Sequence, residues 1–145
     1  MKSLLLVLSV LLITSLAPRV QAQTATDQST ITENYYKTLP GHQQDFLQLF
    51  MKNHYPILAR ELASGRIVSF KMETPTAYMP EDVRWDYRVT IVRKGPGGSN
   101  ADFEAKLKQE LWPDQETFKR EEKQRFDNVL AHWDITVTSV TPPGK

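Results

Sequence analysis

The residues in this chain that could do chemistry are few and scattered. His42, His54 and His132 are its three histidines, the side chains best suited to move protons near neutral pH or to bind a metal. None lies at the close spacing that puts two imidazoles on one helical turn, and the chain has no cysteine to complete a zinc set. No metal is expected, and no cofactor motif is present. His42, after a turn and at a helix start, reads as a solvated surface residue. His54 sits two residues before Pro56, where a helix must be irregular; it is read first as a satisfied structural histidine and second as a proton carrier. His132 is placed to cap the helix before the last strand through the C-terminal dipole.

Asp86 and Arg88 lie two apart in an alternating run, so both are expected on one sheet face. Enclosure would prepare an anion site at Arg88 and shift the Asp86 carboxyl, with Lys71 joining from a neighbouring strand. The plainer reading is a cross-strand ion pair that helps register. Tyr35, Tyr36, Trp85, Tyr87 and Trp133 could stack a flat ligand, although Trp85 and Tyr87 fit better as core under helices. Tyr36, opposite in parity to Tyr35, is the pocket candidate. The weak catalytic candidates are therefore His54 and Asp86, and the ligand-binding candidates are Tyr36, Lys71 and Arg88. A Ser-His-Asp order, a phosphate loop and a nucleophile elbow are all missing from the sequence.

The elements that must position these residues begin after a leader. Lys2, the apolar run Leu4 to Ile13 and the small residues of Val20-Gln21-Ala22 read as a signal peptide, residues 1–22. The run is too short for the roughly 20 apolar residues of a membrane span. The expectation is export to the periplasm or medium, with no membrane association after cleavage. Residues 23–29 read as a tether, 30–141 as one domain and 142–145 as a disordered tail. A cysteine-free exported chain fits a bacterial product better than a disulfide-rich secreted domain.

Formal net charge is +1, with both signs interleaved, so the basic stripe of a nucleic-acid binder is absent. The run Lys119 to Arg125 reads as a solvated helix face with weak ion pairs.

Thr30 to Thr38 is β-branched and aromatic and predicts a strand ended by Leu39-Pro40-Gly41. Phe46, Leu49, Phe50, Ile57, Leu58 and Leu62 recur at helical spacing over about 42–64, with Pro56 predicting a break near 53–55 and Gly65 a left-handed cap. Arg66 to Thr74 alternates, with Val68, Phe70 and Met72 expected inward. Arg84 to Arg93 gives the strongest strand signal. Asn100 is placed as the cap of a helix that Pro113 interrupts; its continuation is expected over about 114–131, before a last strand through Trp133, Ile135 and Val137. The order strand, helix, strand, strand, helix, strand predicts an α+β, ferredoxin-like βαββαβ fold: a four-stranded antiparallel sheet with helices on one face. The open face is expected to be polar, with Ser69, Lys71, Asp86, Arg88, Thr90, Asp134, Thr136 and Thr138.

Through Tyr35-Tyr36-Lys37-Thr38-Leu39-Pro40-Gly41-His42, then His54-Tyr55-Pro56 and Gly65-Arg66-Ile67-Val68-Ser69-Phe70, the chain resembles the dimeric α/β-barrel superfamily. The resemblance implies a homodimer whose two sheets pack face to face, and a small aromatic or anionic ligand in the cavity between them. If there is turnover, it implies a cofactor-independent oxygenase or isomerase, with Arg88 orienting an anion, Asp86 or His54 moving a proton and Tyr36 packing the ligand. The alternative is a non-enzymatic interaction module of the cell envelope. Fold alone does not choose between them.

Overall fold

The structure, a computed structural model, describes residues 29–95 and 101–138. The predicted leader, Asn100 and the tail lie outside the described residues. The elements run β1 (Ser29–Thr38), α1 (Gln43–Leu49), a π-helical segment (Phe50–His54), α2 (Tyr55–Ala63), β2 (Ile67–Glu73), β3 (Tyr87–Lys94), α3 (Ala101–Leu111), α4 (Gln115–Asp127) and β4 (Val129–Val137). The sheet order is β2-β3-β1-β4, and every neighbouring pair is antiparallel. This is the α+β, ferredoxin-like arrangement expected from the element order.

Local chemistry explains the joints. Leu39-Pro40-Gly41-His42 closes a tight turn in which the His42 N–H donates to the Leu39 carbonyl at 3.0 Å; Gly41 supplies the positive φ of 83° that a side chain resists. The helical break falls where Pro56 requires it. An α-helical register there would ask Pro56 for a donor it lacks and press its ring on the Lys52 carbonyl four residues back. The backbone widens instead, and the Tyr55 N–H reaches the Phe50 carbonyl, an i to i−5 bond. Gly65, at φ 72°, ends α2 as predicted, with its N–H on the Leu62 carbonyl. The last helix ends at Asp127, earlier than predicted, because Val129 to Ala131 are taken into β4 by pairing with β1.

The core lies between the helices and one sheet face: Tyr36, Phe46, Phe50, Leu58, Ile67, Val89 and Ile91 are buried together, with Phe70, Met72, Tyr87 and Val129 packed against them. Each such side chain contributes roughly 1.5–3 kcal/mol by leaving water. Asp114 caps α4 by accepting from the Thr117 N–H at 3.0 Å, which satisfies one of the donors a helix start leaves free.

Two bulges decide which side chains face which way. In β2 the register against β3 shifts between Ile67 and Ser69. Ile67 is therefore buried and Val68 exposed, the reverse of the alternation read from the sequence. Between β1 and β4 the partner of Lys37 is Ala131 while that of Thr38 is Val129, so Leu130 is the extra residue. Each bulge changes the parity of the residues beyond it. As a result Asp134 and Thr136, expected on the open face, pair with Asn34 and Thr32 on the helix side. Trp133, Ile135 and Val137 pair with Tyr35, Glu33 and Ile31 on the face that no helix among the described residues covers.

Candidate functional site

The uncovered face is built from β1, β3 and the two edge strands. Cross-strand pairing brings Tyr35 beside Arg88 on one side and Trp133 on the other. Tyr35 and Trp133 stack with ring centroids 5.3 Å apart and planes within 4°. Trp85 meets the Tyr35 ring edge-on at 5.7 Å. It precedes the first residue of β3, so strand parity does not bind it. Its expected place under the helices is thereby corrected, whereas Tyr87 does pack there, stacked on Phe46 at 5.4 Å. The other flank of Trp85 borders a hollow of about 260 Å³ in the 74–86 loop, shared with Tyr78 and Met79.

A chain of charges lies beside these rings. The Arg88 Nε and Nη2 donate to Glu73 Oε2 at 3.1 and 2.8 Å, and its Nη1 is 3.6 Å from Glu33 Oε1. Tyr35 donates its hydroxyl proton to Glu33 Oε2 at 2.6 Å, and the Lys71 amine is 3.1 Å from Glu73 Oε1. The Tyr35 hydroxyl, then Glu73 and Glu33, raise the Arg88 pKa above its ordinary value. Arg88 holds the Glu73 carboxyl below the usual range, with Lys71 assisting, while partial burial followed by Glu33 pushes the Tyr35 phenol up. Two cations and two carboxylates thus balance each other. The guanidinium also lies 5.5 Å from the Trp85 ring centroid and 5.9 Å from that of Tyr35, within reach of a cation–π contact.

Of the residues singled out from the sequence, Arg88 and Lys71 belong to this face. Asp86 does not: it precedes β3 and is tied to the end of β1. Its Oδ2 accepts from the Thr38 N–H and hydroxyl, each at 2.7 Å, and Arg84 Nη1 donates to both of its oxygens. The Asp86 N–H donates to the Tyr36 carbonyl at 2.8 Å, and Arg84 Nη2 donates to the Thr38 carbonyl at 3.1 Å. Asp86 is a clasp between the loop and the sheet.

Tyr36 also departs from expectation. It is 4% exposed in the core, 4.9 Å from Phe46; parity was read correctly, but it is Tyr35 whose side reaches the open face. His132 does not cap a helix. It stands in β4, stacked on Tyr36 at 4.4 Å and 3.1 Å from Asp134. His54 ends the π-helical segment on the helix side of the sheet, 5.0 Å from the Phe50 ring, and burial, with the nearby charge of Arg125, lowers its pKa to about 4. It is a neutral histidine near pH 7. His42 is a surface residue as read, 3.2 Å from Asp45.

Arg125 was missed. It ends the charged run read as solvated, and the i,i+3 and i,i+4 pairs Lys119–Glu116 and Lys123–Asp127 are indeed exposed there. Yet Arg125 is 2% exposed, paired with Glu122 at 2.9 and 2.8 Å and 4.3 Å above the Phe126 ring. Its position seven residues after the buried Phe118, two turns along α4, was the available signal. Among the described residues no cluster of His, Asp and Glu could hold a metal ion, and no helix is long and apolar enough to cross a membrane.

No family model matches the chain, and no curated protein matches it. Solved structures resemble it at low identity. A NIPSNAP family protein from Agrobacterium tumefaciens is 15% identical, with 79% of this chain and 88% of that one covered at a TM-score of 0.45. A dimeric ferredoxin-like protein of unknown function from Thermobifida fusca is 6% identical over 78% and 92% of the two chains, with a TM-score of 0.48. A candidate antibiotic biosynthesis monooxygenase from Caulobacter crescentus is 11% identical over 80% and 93%, with a TM-score of 0.47. The assignment of a ferredoxin-like fold rests on the strand order of this chain itself.

Proposed function

We propose that the protein works as an exported homodimer, its two uncovered sheet faces packed together, and that it holds a small aromatic or anionic molecule between them. The observation that carries this reading is the aromatic cluster of Tyr35, Trp85 and Trp133 on a sheet face without helices. Trp133 and Ile135 remain 38% and 41% exposed in the single chain, an apolar area that a second layer would remove from water. A self-complementary face is the least demanding source of that layer.

Within the pair, a flat ligand would stack on the Tyr35 and Trp133 rings, and Arg88 would donate to an acceptor oxygen through Nη1, its least committed nitrogen. Binding is favoured over turnover. The oxygenase or isomerase chemistry implied by the resemblance needs a proton carrier at the ligand; with His54 across the sheet and Asp86 clasped to Arg84 and Thr38, neither is available there, which leaves Glu33 and Tyr35.

The test is light scattering of the mature protein at micromolar concentration, followed by a ligand screen by thermal shift. The expected mass is twice that of one chain, and Arg88→Ala is expected to weaken capture of any hit while the variant stays folded. A strict monomer would overturn the proposal, and so would unchanged affinity in Arg88→Ala for the part assigned to that residue. A monomer that binds other envelope proteins through this face would instead support the interaction-module reading.

A further inference from the structure

The opposite side of the sheet carries a second opening, separate from the face discussed above. Between the π-helical segment, α2 and the edge strand β2 lies a cavity of about 410 Å³, within the size range of small-molecule sites. Met51, Tyr55, Ala59 and Leu62 form its helical wall, Phe70 and Met72 its sheet wall, and Phe50 and Val89 its floor. Three of the wall residues are large, apolar and unusually open: Met51, Tyr55 and Leu62 are 45%, 41% and 42% exposed. They stand at spacings of four and seven along one helical ridge. Because β2 is the last strand on this side, the sheet ends before it covers them.

We propose that this cavity is a binding site for a neutral, largely apolar small molecule, one in each protomer. Three observations converge on that chemistry. Phe50 and Met51, from the floor and rim, belong to the π-helical segment that Pro56 imposes, a backbone irregularity found frequently at functional sites. Two thioethers, Met51 and Met72, offer polarizable surface that adapts to a ligand's shape, and the Tyr55 ring meets Phe70 edge-on at 5.6 Å, leaving ring surface for an aromatic guest. Lys71 is the charged residue at the margin, on the edge strand, and its amine is engaged by Glu73 at 3.1 Å on the other face. An anionic guest would be desolvated there without a free counter-charge, which disfavours it.

The probe is N-phenyl-1-naphthylamine, neutral and fluorescent in apolar surroundings, titrated against the wild-type protein. Saturable binding of one probe per chain is expected. Ala59→Trp, which fills the cavity, and Leu62→Arg, at an exposed position that tolerates charge, are each expected to weaken it at least tenfold while the circular dichroism spectrum is retained. Trp133→Asp, on the other side of the sheet, is expected to leave it unchanged. Absence of saturable binding overturns the inference, as does unaltered affinity in folded Leu62→Arg. Loss of binding in Trp133→Asp with retention in both cavity variants would also overturn it, since the probe would then sit between paired sheets, leaving the homodimer reading intact.

Discussion

Tyr35 and Trp133 lie directly across the β1–β4 ladder from one another and stack almost parallel, 5.3 Å between centroids, on the side of the sheet that carries no helix. The pair is held from below by backbone pairing, and among the described residues nothing above it buries Trp133, which is 38% exposed. Trp133→Asp puts a charge into the aromatic cluster of this surface, and the expected outcome is conversion of a dimer to a monomer. Central aromatic residues of an interface commonly contribute 2 kcal/mol or more, so the dissociation constant should rise by about thirtyfold at least. Sedimentation equilibrium over a range of concentrations measures it.

The clasp at Asp86 is a matter of stability. Asp86→Ala strips acceptors from the Thr38 N–H and hydroxyl, on a residue with no exposed surface, and leaves the Arg84 guanidinium without its closest carboxylate. A loss of about 2–4 kcal/mol is expected in urea unfolding. Asp86→Asn keeps an acceptor oxygen and should lose less. Equal loss in both variants would mean that the charge, and not the acceptor, holds the loop.

His54 gives the protein a pH dependence of definite sign. Its folded pKa of about 4 lies below the ordinary histidine value of 6.5, so between these values the unfolded chain binds the proton more readily. Its contribution is therefore full above about pH 6.5 and falls as pH drops toward 4, by an amount of order 1–3 kcal/mol in total. His54→Gln should flatten that part of the stability curve relative to wild type. Parallel slopes for the two proteins across this window would show that His54 is not responsible.

Gly65 tests the backbone alone. A Cβ built there meets nothing within 4 Å, so Gly65→Ala costs only the left-handed conformation, about 1–2 kcal/mol. Gly65→Asn should recover part of it, since asparagine tolerates that region. Thermal melts of the two variants make the comparison.

Much of this fold was legible from local chemistry. The turn at Pro40-Gly41, the break ahead of Pro56, the glycine cap at residue 65 and the alternation through Val89 and Ile91 are all consequences of short-range sterics and burial, and they fix the order of elements. What could not be read was the side on which a strand presents its residues. Leu130 and the Ile67–Val68 step each absorb one extra residue, and a shift of one reverses every side chain beyond it. The open face was consequently read as polar throughout, where Trp133 and Ile135 make its β4 margin apolar. Asp86 was drawn to the face by its spacing from Arg88, yet its partner Thr38 lies 48 residues away, beyond the reach of any local pattern. Arg125 was hidden for a similar reason: most of its neighbours in the charged run are solvated, while the Phe46 and Phe50 rings, each 5.9 Å from its guanidinium, come from other elements.

The step at Ile67 has one more effect. β2 is an outer strand, and an outer strand with regular pleating invites another molecule to extend the sheet sideways without limit. The kink there, and its counterpart where Leu130 bows out of β4, spoil both margins as templates. Lateral growth is discouraged at either border, so the proposed contact between copies falls to the broad surface, where a two-fold pairing would consume the whole of it and stop.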